Sequence, residues 1–184
     1  MWRKLESKCC RVGQGGVRCA CHPSHRKEAS SVFLGEYEHN LDQKQRLAIP
    51  AEIRDSLSPE LHGEAFVAAP GANGALWLWP EKTFAQLSAR LGQNLLGEEA
   101  LVQFERQFFS QAARVPLDSA GRVRIPDRLL QRYGLHAQVL VLGVRDHLEV
   151  VRPEEWRGKQ QELQPLESEI WRRARAALAA DAAK

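Results

Sequence analysis

Apolar positions along this chain fall into two spacings, and the alternation between them marks out its elements. Residues 65–69 and 75–79 are nearly continuous apolar runs of strand length, separated by Pro70-Gly71-Ala72-Asn73-Gly74, a turn-forming stretch. Residues 138–143 and 147–152 make a second such pair, joined through Val144-Arg145-Asp146. Each pair predicts a β-hairpin. Helical spacing appears before and after both hairpins. Ile53 and Leu57 lie four apart behind Pro50, and Leu129, Leu130 and Tyr133 repeat that pattern behind Pro126. Proline suits such an entrance, because its missing N–H has no partner at the start of a helix anyway. Pro80-Glu81 and Pro153-Glu154 open further helices. The first runs from Glu81 to about Asn94 with Phe84, Leu87 and Leu91 on one face. Another runs from Glu98 to about Gln111 with Leu101, Phe104, Phe108 and Phe109. A last helix from Pro153 carries Trp156, Leu163, Ile170 and Trp171 into an alanine-rich tail expected to fray.

These elements repeat. The ten residues from Leu41 to Pro50 (LDQKQRLAIP) align without gaps on those from Leu117 to Pro126 (LDSAGRVRIP), with Leu, Asp, Arg, Ile and Pro identical. An extended entry, a turn, a short helix and a hairpin follow in the same order in each copy. The expected fold is α+β: two pseudo-symmetric β-α-β-β half-barrels forming one core, each followed by helices. A unit of about 45 residues is too small to bury its own apolar face well, so two must share one core. This gives a first unit over 34–82, a helical connector over 83–111, a second unit over 112–155 and a C-terminal helix over 156–184.

Composition changes the picture mainly at the N-terminus. The 184 residues are 43% hydrophobic and 27% charged, ordinary for a globular protein, and no apolar run is long enough to span a membrane. The net charge of +3 is unevenly spread. Residues 1–31 hold seven basic groups against two acidic, a balance of +5, while the remainder is slightly acidic. All four cysteines (Cys9, Cys10, Cys19, Cys21) also lie there, with His22 and His25 nearby. Their spacing does not match the paired ligands of a structural zinc site, so no metal is expected. Residues 1–32 are expected to be a disordered extension. Residues 1–31 are also expected to lie upstream of the true start, because Lys27-Glu28 can be encoded as a ribosome-binding sequence and Val32 as a GTG start codon. A body without cysteine fits a reducing cytoplasm.

The repeated Asp-x-x-x-Arg turns are the candidate chemistry. Asp42 and Asp118 can accept backbone N–H bonds as Asx turns do, and Arg46 and Arg122, four positions on, can donate a fork of bonds to a carboxylate. One reading is therefore a local clamp, with Gly121 shaping the second turn. The other is a cationic surface: Lys44 and Arg46 in the first copy, Arg122 and Arg124 in the second, extended by Arg128 and Arg132. Guanidinium reads guanine O6 and N7, while lysine more often sits on phosphate. A single such loop is a weak DNA reader, and a ring of subunits would sum many weak contacts.

Phe33-Leu34-Gly35-Glu36, followed by Leu41-Asp42-x-Lys44-x-Arg46-x-x-x-Pro50, resembles the opening of the MraZ family of bacterial transcriptional regulators, within the SpoVT/AbrB-like superfamily. Leu117-Asp118-x-x-Gly121-Arg122 is similar to that family's second copy, and the likeness runs from Phe33 to Trp171. The resemblance implies two swapped-hairpin AbrB-like halves and a homo-oligomeric ring of eight or twelve subunits, cytoplasmic and nucleoid-associated. It implies binding of double-stranded DNA at repeated short G-rich sites in the promoter of its own operon, the division and cell-wall gene cluster, usually as a repressor. By position Lys44 and Arg46 fall on DNA-contacting residues, Asp42 on the loop-shaping one and Arg122 on the signature arginine of the second half. The family begins at its Phe-x-Gly, in keeping with a start at Val32. One departure stands out: Gln45 replaces the usual glycine, at a cost of about 1 kcal/mol if that position needs a positive φ.

Two rival classes remain. An enzyme is not expected: His39, His62, His136 and His147 are scattered, no nucleophile or phosphate-cradling motif is present, and no cofactor or small-molecule substrate is implied. An oligomeric interaction scaffold or antitoxin-like module would use Trp77, Trp79, Trp156 and Trp171 as interface anchors. Whichever of Trp77 and Trp79 faces inward by strand alternation is expected in the core.

Overall fold

The hairpin runs become strands that are covered on both faces. The computed structural model describes residues 32–91 and 99–182. The four cysteines, His22, His25 and the stretch upstream of Val32 lie outside the described residues. In chain order the elements are β1 (Glu36–Asn40), β2 (Arg46–Ala48), α1 (Ala51–Ser56), α2 (Pro59–His62), β3 (Ala65–Pro70), a 3-10 turn (Ala72–Gly74), β4 (Leu76–Pro80), α3 (Glu81–Leu91) and α4 (Glu99–Gln111). They continue with β5 (Ala113–Pro116), β6 (Arg122–Arg124), α5 (Asp127–Arg132), β7 (Gln138–Val144), β8 (His147–Val151), α6 (Pro153–Leu163), a 3-10 turn (Gln164–Leu166) and α7 (Glu167–Ala182). The fold is α+β, with antiparallel sheet and several helices.

Six strands form one sheet in the order β1-β7-β8-β4-β3-β5, and β2 and β6 form a separate two-stranded ribbon. The entry strand of each repeat pairs with the other repeat's hairpin. Glu36 of β1 lies opposite Leu142 of β7, and Ala65 of β3 lies opposite Pro116 of β5. One core lies beneath, built from both repeats: Leu47, Ile49, Phe66, Leu78, Val123, Ile125, Val139 and Leu148 are all at most 2% exposed. The other sheet face is covered too. Ala69 and Trp79 pack on Phe108 of α4 with Phe84 and Leu87 of α3, while Leu140, Leu142 and Val151 pack on Trp156 of α6. Burial on both faces explains why the hairpin strands read as continuous apolar runs rather than an alternation.

The structure departs from the sequence reading in three places. Trp77 and Trp79, two apart, share one face; both pack there, Trp79 stacked 4.2 Å from the His147 ring and Trp77 donating to Glu149. A short helix, α2, occupies a stretch given no element by sequence spacing. Its buried His62 accepts the Ser58 N–H through Nδ1, and burial pushes the His62 pKa down. The continuous helix expected from Pro153 is broken at Gln164–Leu166, where Pro165 has no N–H to give the preceding turn. Before that break α6 is fastened to β1: Trp156 Nε1 and Gln160 Nε2 donate to Glu36, and Arg157 to Glu38. Beyond it, Ile170, Trp171 and Leu178 of α7 are exposed, and the tail stays helical through Ala182.

Candidate nucleic-acid interface

The β2–β6 ribbon follows from three-residue alternation in each repeat. Its register sets Arg46 opposite Arg124, Leu47 opposite Val123, and Ala48 opposite Arg122. Leu47 and Val123 are fully buried, each worth roughly 1.5–3 kcal/mol of apolar burial. Side chains alternate along a strand, so Arg46, Arg122 and Arg124 lie on the face turned away from the core. The ribbon is closed at its ends by exchange: Ile49 N–H donates to the Gly121 carbonyl at 2.9 Å and Ile125 N–H to the Gln45 carbonyl at 3.0 Å.

Both turns are held by their aspartates in the same way. Asp42 Oδ1 accepts the N–H groups of Lys44 and Arg46, at 2.8 and 3.0 Å, and its Oδ2 accepts Arg46 Nε at 2.7 Å. Asp118 Oδ1 accepts Ala120 and Arg122 N–H, both at 2.9 Å, and its Oδ2 accepts Arg122 Nε at 3.0 Å. The two clamps also touch: Arg46 Nη1 is 3.8 Å from Asp118 Oδ2, and Arg122 Nη1 is 4.0 Å from Asp42 Oδ2. The Arg46 side-chain bond, aided by backbone donors, lowers the Asp42 pKa from 3.8 to about 2. The Arg122 bond lowers that of Asp118 in the same direction. Both carboxylates are thus ionised and engaged at neutral pH, unlike a general base poised near the working pH.

The clamp leaves part of each guanidinium available. Nε and Nη2 of Arg46 and Arg122 are engaged on their own aspartates, while Nη1 lies towards the opposite turn. The two side chains are 28% and 33% exposed. Lys44 and Arg124 are exposed and pair with no carboxylate among the described residues. They occupy unlike positions in the repeat, since the counterparts of Lys44 and Arg124 are Ala120 and Ala48. Strand period places Arg124 on the same face as Arg122, as expected. The cross-strand register adds that Arg124 stands beside Arg46, so Lys44, Arg46 and Arg124 gather near the first turn. Four cations against Asp42 and Asp118 leave this face positive.

Not every expected cation joins them. Arg128 donates from Nη1 and Nη2 to the Gln111 and Ala112 carbonyls, holding the end of α4, and Arg132 sits over the Tyr133 ring at 5.9 Å. Two residues that sequence reasoning did not single out border the turns. Asp127 accepts Gln45 Nε2, and Arg54 lies against Gly121, with Nη1 2.7 Å from where a Cβ would stand. Their counterparts, Ala51 and Leu130, are of different character, so the repeat carried no signal for either. Gln45 has φ +59°, Gly121 φ +73°. The expected positive φ is therefore present, and a glutamine adopts it. Its Oε1 is buried with no hydrogen-bond partner among the described residues. Among the described residues no three His, Cys, Asp or Glu side chains gather as a metal site, and no helix is long and apolar enough to cross a membrane.

The family described as "MraZ protein, putative antitoxin-like" matches residues 32–104 and 108–177. Among similar proteins, "Transcriptional regulator MraZ" of Lactiplantibacillus plantarum (strain ATCC BAA-793 / NCIMB 8826 / WCFS1) is 39% identical over 125 residues, covering 68% of this chain and 85% of the relative. The protein of the same name from Roseiflexus sp. (strain RS-1) is 36% identical over 127 residues, 69% of this chain and 85% of the relative. That of Heliobacterium modesticaldum (strain ATCC 51547 / Ice1) is 32% identical over 139 residues, 76% of this chain and 94% of the relative.

Proposed function

The chain belongs to the MraZ family, and from that membership we propose that it is a transcription regulator that binds double-stranded DNA in a sequence-specific manner through the β2–β6 ribbon. The observation that carries this reading is the outward row of Arg46, Arg122 and Arg124 on a ribbon whose other face is anchored by Leu47 and Val123. A two-stranded ribbon fits the major groove, and guanidinium forks suit guanine edges. The aspartate clamps support recognition rather than compete with it. An arginine already fixed on its Nε side loses less freedom on binding, and its remaining N–H groups can meet a base.

In this reading Lys44, Arg46, Arg122 and Arg124 contact DNA, with Asp42, Asp118 and Gly121 shaping the loops. The chain acts in the cytoplasm, on the nucleoid, as a repressor at repeated short G-rich sites in the promoter of its own operon, the division and cell-wall gene cluster. The exchange of entry strands between repeats supports the swapped-hairpin, pseudo-symmetric arrangement of its two SpoVT-AbrB-like units. A homo-oligomeric ring of eight or twelve copies would present many ribbons to one duplex, and avidity would raise a weak single contact by 10²–10⁴. The exposed Ile170, Trp171 and Leu178 of α7 favour a second role as an interaction scaffold, which is compatible with ring contacts.

Fluorescence anisotropy of the full chain tests this, using a labelled duplex from immediately upstream of its own coding sequence and a scrambled duplex of equal composition. The expected result is salt-sensitive binding that prefers the native duplex and falls at least tenfold in Arg46→Ala. Equal binding to both duplexes would overturn sequence specificity, and no binding at low salt would leave the scaffold role alone.

A further inference from the structure

We infer that Arg54 is a phosphate contact that completes the second turn, standing in for the cation that this turn lacks at Ala120. The assignment rests on the ribbon reading above and extends it to a residue outside the repeated motif.

The two turns share a backbone but not a set of neighbours. The first turn carries Lys44 between Asp42 and Arg46, and the second carries Ala120 at the equivalent position. Without another cation the second turn would hold Arg122 alone, opposed by Asp118 at 2.9 Å. Arg54 fills the gap from a different element. It sits in the last turn of α1, exposed, and its side chain crosses over Gly121, next to Arg122. Cδ and Nη1 come within 2.6 and 2.7 Å of the place a Gly121 Cβ would occupy. Any side chain at position 121 would displace this guanidinium, so Gly121 keeps the turn open for φ +73° and makes room for Arg54 as well.

No carboxylate among the described residues pairs with Arg54. Asp118 is committed to Arg122 and to two backbone N–H groups, and Asp42 to Arg46. The first turn has the opposite arrangement, since its position 45 side chain donates to an acid, Asp127. A helix C-terminus also favours a nearby cation, but that explains the residue's sign without explaining why its side chain lies over the turn. An exposed, weakly hydrated guanidinium that lies against Gly121, next in the chain to the clamped Arg122, and pairs with no carboxylate among the described residues has the chemistry of a phosphate ligand. With Arg54, both ends of the ribbon carry a cation that pairs with no carboxylate among the described residues: Lys44 and Arg124 near the first turn, Arg54 at the second.

The test compares full-length wild type, Arg54→Gln and Arg54→Lys on the native and scrambled duplexes across a range of salt. Arg54→Gln keeps much of the stem over Gly121 and removes the charge. It is expected to weaken binding roughly three- to tenfold on both duplexes alike and to reduce the slope of log K against log salt by about 0.9, the loss of one phosphate contact. Arg54→Lys is expected to recover the slope. Unchanged affinity and slope in Arg54→Gln, with wild type binding normally, would overturn the assignment and leave the ribbon reading intact. A loss confined to the native duplex, or no recovery with lysine, would also overturn it, because it would mean that Arg54 shapes the loop. Wild type that binds neither duplex would overturn both readings.

Discussion

One oxygen of Asp42 takes two backbone N–H groups and the other takes its own arginine, so a single carboxylate sets the turn and aims the guanidinium. Its pKa of about 2 lies below the ordinary 3.8. A depressed folded-state pKa means that the stabilisation is complete above about pH 4 and is lost as pH falls towards 2. The Asp42 side-chain carbon should therefore titrate by NMR with a midpoint near 2, and Arg46→Gln should return it towards 3.8. The first turn also carries a cost that the second avoids. Gln45 holds φ +59° where Gly121 holds +73°, and its buried Oε1 has no hydrogen-bond partner among the described residues. The bond from its Nε2 to Asp127 offsets part of that. Gln45→Gly should raise stability by about 0.5–1 kcal/mol in chemical denaturation. The reverse change, Gly121→Gln, should lower it by about 1 kcal/mol through backbone strain at φ +73°, the exposed Arg54 side chain swinging aside.

At the scale of elements, the ribbon stands on Leu47 and Val123. Leu47→Ala should cost about 2–5 kcal/mol, measured by denaturant unfolding, and should weaken any DNA contact through the ribbon with no change to a basic residue. Much of this level was legible in the chain. The alignment of residues 41–50 with 117–126 located both turns, both clamps and the ribbon strands, because a repeated unit repeats its local hydrogen bonds. Cross-strand register was not legible. Period two set Arg122 and Arg124 on one face, but only long-range pairing could place Arg124 beside Arg46. Arg54 and Asp127 escaped for a related reason, since each completes a turn from a distant part of the chain. The break at Pro165 had a plain local signal, a proline inside a helical pattern, whereas α2, at four residues, was too short for periodicity to reveal.

At the scale of the whole molecule, the six-stranded sheet and the single core beneath it are common property of both repeats. Neither repeat's hairpin is completed by its own entry strand: β1 pairs with the second hairpin and β5 with the first. A chain ending at Gln111 would keep the hairpin β3–β4 without β5, β8 or the Val123 and Ile125 side of the core. Such a fragment should show little fixed tertiary structure by proton–nitrogen NMR, while an equimolar mixture of the two halves should regain dispersed signals if they find one another.

That exchange of strands also bears on how the protein is born. β1 must wait for β7, about a hundred residues later in the chain, so a nascent polypeptide leaving the ribosome carries an unpaired edge through most of its synthesis. Pairings so far apart in sequence slow folding and expose apolar strands meanwhile. Translation speed across the second repeat, and chaperone capture of the first, therefore become determinants of how much functional regulator a cell obtains from each message.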